Sequence, residues 1–205
     1  GYDGENLWES WANSAYDVNG KKVSGWQMRN ANLAAAVSEE HSETAFTTDR
    51  ALEFLSGVDP NDQWCLHLSY IKPHWPYLVP APYHSLYCKD QILPVVRNQD
   101  ELQAPHPVFK AFHEQTYSQN FSRDEVRERV VPTYMGLIKQ IDDHFCRVFE
   151  LLTSNKLMYS TFILFPASHG VSFASPFFFY PDLLLFPSFR FPSFFFLSLP
   201  FPHSS

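Results

Sequence analysis

Cysteine is scarce in this chain. Of 205 residues only Cys65, Cys88 and Cys146 are Cys; they lie far apart, and none belongs to a C-x-x-C pair. That argues against a zinc knuckle and a disulfide framework. Cys65 sits in an apolar run, where a thiol is expected simply to pack. Basic residues are also few and unclustered, with 15 Lys and Arg against 22 Asp and Glu for a formal charge of -7. Without a basic stripe, nucleic-acid binding is disfavoured. No uninterrupted apolar stretch of about 20 residues exists, so no membrane span is expected. The opening Gly1-Tyr2-Asp3-Gly4-Glu5 has neither a basic region nor an apolar core and does not read as a signal peptide. With no initiating Met, the sequence is expected to be a fragment whose N-terminal part is absent, which leaves localisation open. The length suits one domain with a real core and is short for two.

What is present divides into two unlike parts. Residues 1–170 have ordinary globular usage, whereas 29 of the 35 residues from Val171 to Ser205 are Phe, Ser, Pro or Leu. Pro176, Pro181, Pro187, Pro192, Pro200 and Pro202 forbid a continuous helix there. Those four residue types are the ones that all-pyrimidine codons encode. The tail 171–205 is therefore expected to be disordered or the translation of a pyrimidine-rich, intronic tract, with a hydrophobic anchor as the competing reading. Its exposed Phe runs would favour aggregation.

Within the first part, three elements stand out. Ser42 to Leu55 reads as a helix, with Ser42 as its cap and Gly57 and Pro60 as its stop. Gln63 to Tyr70 reads as a buried strand. Arg123 to Thr153 carries Val130, Tyr134, Leu137, Ile138, Ile141, Phe145, Val148 and Leu152 at helical spacing, the mark of an amphipathic helix on a sheet. The β-rich run Ser160 to Phe165 follows, and strand, crossover, helix, strand is the order of an α/β fold with a parallel sheet. Between Lys72 and Phe121 lies a polar, Pro-rich excursion too long for a plain connection.

Directly after the first strand comes Lys72-Pro73-His74-Trp75-Pro76. The two prolines fix their own φ and restrict the residues before them, so His74 is held with little freedom. In open α/β sheets, ligands bind outside the carboxyl ends of strands. An imidazole fixed there suits proton transfer or the stabilisation of charge on a reacting ester. The plainer reading is a turn that only redirects the chain.

Three phrases, in order, carry a resemblance. The first runs from Glu40 to Phe54, EHSETAFTTDRALEF. The second runs from Leu66 to Tyr77, LHLSYIKPHWPY, with Pro82-Tyr83-His84 after it. The third runs from Pro132 to His144, PTYMGLIKQIDDH. Together these resemble the sulfatase branch of the alkaline phosphatase superfamily, especially its phosphonate monoester hydrolase-like members, over residues 37–170. The resemblance implies a partial alkaline phosphatase-like α/β fold with a mainly parallel sheet flanked by helices. It further implies hydrolysis of small-molecule sulfate, phosphate or phosphonate esters. In the family a formylglycine from a C/S-x-P-S-R motif is the nucleophile, supported by a divalent cation such as calcium or manganese. His74 matches the family's substrate-binding or leaving-group His, and Lys72 a basic position beside it.

The departures are specific. None of the three Cys precedes Pro-Ser-Arg, so the nucleophile motif is absent. Ala167-Ser168-His169-Gly170 stands where the family has Ser-Asp-His-Gly. Ser168 removes a hard anionic ligand and leaves His169 as the one candidate metal ligand, too little to hold a hard dication. The isolated chain is therefore expected to bind no metal and to be inactive. The alternative is a non-catalytic remnant that binds a partner. Asp142-Asp143-His144 resembles a metal cluster, but neighbours on a helix point about 100° apart and cannot converge on one ion. Glu39-Glu40-His41-Ser42-Glu43 reads as electrostatic capping of the helix that follows rather than as acid–base chemistry. His84, His106 and His113 lie in the excursion without an assigned role.

Overall fold

The structure, a computed structural model, describes residues 13–95, 103 and 105–166, together with the backbone of 193–198. His169 and the tail other than that short segment lie outside the described residues.

Helix α1, Glu43–Ser56, begins where Ser42 turns extended and its Oγ accepts the Ala45 N–H at 3.2 Å. That satisfies one orphan donor of the first turn, and Glu43 there suits the helix dipole. The helix stops at Gly57, as the sequence predicts.

Strand β3, Cys65–Ser69, corrects one expectation (β1 and β2 are given below). The apolar run reads as a buried strand in which the Cys65 thiol packs. Instead Trp64, Leu68 and Tyr70 are buried, while Cys65, His67 and Ser69 are exposed. Only one face packs against helices, so the period of two sorts the side chains, and the Cys65 thiol points away from the core.

Helix α4, Asp124–Ser154, runs for 31 residues straight through Pro132 (α2 and α3 precede it, below). Asp124 and Glu125 open it, where the dipole favours carboxylates. Its buried stripe is Val130, Leu137, Ile141, Phe145, Val148 and Leu152. Ile138, expected on that stripe, is 47% exposed. Polar Thr133, Gln140 and His144 take buried places instead.

Strand β4, Thr161–Leu164, follows α4, and β5, Ser193–Ser198, lies between β3 and β4, pairing in parallel with each. A separate two-stranded antiparallel ribbon joins β1, Ser14–Tyr16, to β2, Lys22–Ser24. The excursion holds two short helices, α2 at Pro107–His113 and α3 at Thr116–Phe121.

Two apolar clusters result. One joins α1, β3 and α4 through Ala51, Leu55, Leu68, Tyr70, Phe145 and Leu152. The other joins Ala31, Tyr77, Val79, Val130 and Leu137. Each fully buried aliphatic side chain contributes roughly 1.5–3 kcal/mol relative to exposure. Tyr70 belongs to the first cluster and Tyr77 to the second, so the segment that carries His74 is pinned at both ends.

Candidate active site

The chain leaves β3 through buried Tyr70 and turns at once, the His74 N–H donating to the Ile71 carbonyl at 3.0 Å. The Lys72-Pro73 and Trp75-Pro76 peptides are both cis. Within this turn the half-buried His74 places Nδ1 2.7 Å from the Trp75 carbonyl. A carbonyl can only accept, so Nδ1 carries the proton and the tautomer is set. In the neutral ring Nε2 then keeps its lone pair, and a second proton makes Nε2 a donor.

Lys72 does not extend from the turn but folds back along it. Its Nζ donates to the Pro76 carbonyl at 2.6 Å, spanning the prolyl turn from one end to the other. Burial pulls the ammonium down to about 8, and the charge of Glu43, in the first turn of α1, works against that fall. The Glu43 carboxyl is raised by the same desolvation, and the Lys72 charge holds the rise back.

A second connection ties α1 to the end of β3. Thr48 Oγ1 donates to the Thr44 carbonyl at 2.7 Å and lies 2.7 Å from the Tyr70 hydroxyl. A third polar cluster joins α1 to α4. His144, 3% exposed, approaches Glu39 Oε1 through Nε2 at 2.7 Å, and Arg147 reaches its Nδ1 at 3.1 Å. Arg147 also donates to Asp49 at 2.6 Å, while Gln140 donates to Ser42 Oγ at 2.9 Å. Arg147 can only donate and a carboxylate can only accept, so the ring holds a proton on Nε2 and accepts at Nδ1.

These contacts account for the acidic phrases. Lys139 engages Asp142 at 2.9 Å and Asp143 at 2.7 Å, and Tyr83 donates to Asp143 at 2.9 Å. The Lys139 bond holds the Asp143 carboxyl low, whereas burial first and then its bond to Asp143 push the Tyr83 phenol up to about 12. Asp142 and Asp143 thus share Lys139, while His144 faces Glu39 and Arg147 instead. Glu43 does sit in the first turn of α1, but Glu39 serves a tertiary contact with α4 that capping alone does not anticipate. Among the described residues, no group of three His, Cys, Asp or Glu side chains could hold a metal ion.

Of the residues singled out in the sequence, Lys72 and His74 share one turn, and His169 lies outside the described residues. His106 caps α2 through Nδ1, and His113 stacks on Phe109. His84 lines a cleft with Tyr87, Cys88 and Lys89. The Glu39–His144–Arg147–Asp49 cluster was not foreseen. The available signal was a polar residue, His144, recurring on the apolar stripe of α4.

The profile of the Sulfatase family matches residues 3–182. The chain is 34% identical over 147 residues to the multifunctional alkaline phosphatase superfamily protein PehA of Trinickia caryophylli, covering 65% of this chain and 28% of that protein. The phosphonate monoester hydrolase SpPMH from Silicibacter pomeroyi superposes with a TM-score of 0.63 at 27% identity, over 83% of this chain and 34% of that one. The phosphonate monoester hydrolase of Agrobacterium radiobacter gives 0.58 at 25% identity, over 67% and 29%. The chain therefore spans about a third or less of the length of these relatives.

Proposed function

The chain belongs to the sulfatase family, and from that premise we propose that it is the part of a sulfuric or phosphonic ester hydrolase that presents a proton-transferring histidine to the ester. The relatives' own names include phosphonate monoester hydrolase and multifunctional alkaline phosphatase superfamily protein. The sheet of the whole domain would be mainly parallel and flanked by helices, with β3 at its active end. One observation carries the reading. His74, just past the end of β3, has its tautomer set by the Trp75 carbonyl at 2.7 Å. In this role Nε2, once protonated, donates to the departing oxygen as the ester bond breaks. Lys72, the basic residue assigned beside His74, holds the turn through its bond to the Pro76 carbonyl.

The family uses a divalent metal. The described residues do not fit one, since Lys139 engages both Asp142 and Asp143, and Glu39 and Arg147 engage His144. No step proposed for His74 or Lys72 passes through a metal.

The 205-residue chain lacks a C/S-x-P-S-R nucleophile motif, and we expect it to release no nitrophenol from 4-nitrophenyl phenylphosphonate or 4-nitrophenyl sulfate. Turnover by this chain would overturn that expectation. The protein isolated from its natural source should hydrolyse one of the two esters. There His74→Ala should lower kcat by about 100-fold or more, the scale of a lost proton donor. Equal kcat in the variant would overturn the assignment of His74.

A further inference from the structure

The residue after His74 opens a second site. Trp75 and Trp26 meet edge to face, ring centroids 5.0 Å apart, on one side of a cleft of about 450 Å³. Met28 adds a polarisable thioether, and the opposite side comes from the start of α4 and the residues before it. Three guanidinium-bearing residues, Arg29, Arg123 and Arg129, line this cleft against one carboxylate, Glu125. In a chain of formal charge -7 that is a local reversal of sign.

The single acid does not cancel the three cations. Glu125 lies 3.6 Å from Arg123 Nε. Arg129 donates to the Arg29 backbone carbonyl at 3.2 Å, a neutral acceptor. Among the described residues no ion pair engages Arg29 or Arg129. The volume is that of a small-molecule pocket, which typically joins apolar walls to a few placed polar groups. Indole faces and edges favour a flat ring, and guanidinium groups favour a carboxylate or another oxyanion.

We infer that this cleft is a binding site for a small aromatic anion, a planar ring carrying one acidic group. The ring lies against Trp26 and Trp75, and the anion meets Arg29 and Arg129, the two cleft arginines without a carboxylate partner among the described residues. The inference does not rest on the ester chemistry of His74, and the test uses a ligand that is not an ester.

The 15N-labelled full chain is titrated with phenylacetate, and its indole N–H signals are followed by NMR; Trp26→Phe and Trp75→Phe identify the two signals of interest. Acetate and benzyl alcohol serve as the two halves of the probe. Phenylacetate should move both signals saturably and bind at least about fivefold more tightly than either half, since charge and ring contacts add. Added salt should weaken it. Arg29→Gln with Arg129→Gln, both on exposed residues, should weaken phenylacetate about fivefold or more and leave benzyl alcohol unchanged. The remaining indole signals report that each variant is folded. Unmoved Trp26 and Trp75 signals, or equal phenylacetate affinity in the double variant, would overturn the assignment.

Discussion

Tyr70 donates its phenolic proton to Thr48. The Thr48 hydroxyl has one proton, which goes to the Thr44 carbonyl, so across the 2.7 Å contact Tyr70 is the donor. Thr48 is fully buried and Tyr70 nearly so, and the bond fastens the middle of α1 to the exit of β3. Two residues further on, Lys72 feels the charge of Glu43 at the start of the same helix. The prolyl turn that carries His74 therefore takes its position from α1 as well as from the sheet.

Thr48→Val keeps the shape and removes the acceptor. The Tyr70 hydroxyl, buried and deprived of that partner, should cost about 1–3 kcal/mol. Denaturant unfolding at neutral pH measures this loss, and Thr48→Ser, which keeps the oxygen, should recover part of it. Equal stability of the Val variant would show that the hydroxyl finds another partner.

Glu39 and His144 should be energetically coupled. A double-mutant cycle with Glu39→Ala and His144→Ala should give a coupling energy of about 0.5–3 kcal/mol, the range for residues in contact. Additive single effects would mean that the 2.7 Å contact contributes nothing to folding.

Lys72 predicts a pH dependence with a definite sign. Its folded value of about 8 lies below the ordinary 10.5, so the unfolded chain holds this proton more tightly. Below about pH 8 the cost of the desolvated charge is fully present. From there towards 10.5 the folded state sheds the proton first, and stability should rise with pH. Thermal melts across this window should show the rise in the parent chain and its absence in Lys72→Met.

Gly136 marks a close approach between α4 and the residues around Tyr83. A Cβ at this position would lie 2.5 Å from the Tyr83 carbonyl oxygen, a backbone atom that cannot swing aside. Ala in a helix is better than Gly by about 1 kcal/mol, whereas forcing extra atoms into packed structure costs roughly 1–3 kcal/mol. Gly136→Ala should therefore lower the melting temperature despite its helix propensity.

Local rules made much of this fold legible, and long-range partners made the rest illegible. Ser42 and Gly57 mark the ends of α1 because caps act within one turn. The extent of α4 follows from its apolar period, but the partners of Gln140 and His144 do not. Periodicity tells which way a side chain faces, and Ser42 and Glu39 lie about a hundred residues earlier in the chain. The strand at Cys65 was recognisable as a strand, while its open face was not, because an apolar run reads alike whether one face or two are covered. His74 was found through its prolines. The latch between Lys72 and the Pro76 carbonyl needed the fold of the turn.

The polar cluster between α1 and α4 has a fixed direction of donation, from Arg147 to Asp49 and to His144, from His144 to Glu39, and from Gln140 to Ser42. Every link has one giver and one taker, so replacing any member alone leaves a neighbour offering or awaiting a proton. As sequences diverge, these positions can drift only in matched steps, and Glu39 and His144 should change together or not at all. The exposed arginines of the tryptophan cleft are tied more loosely, Arg129 to a backbone carbonyl that any residue at position 29 would supply and Arg123 to the nearby Glu125. Across relatives the two helices should age as one piece, while the cleft is free to take on new tastes.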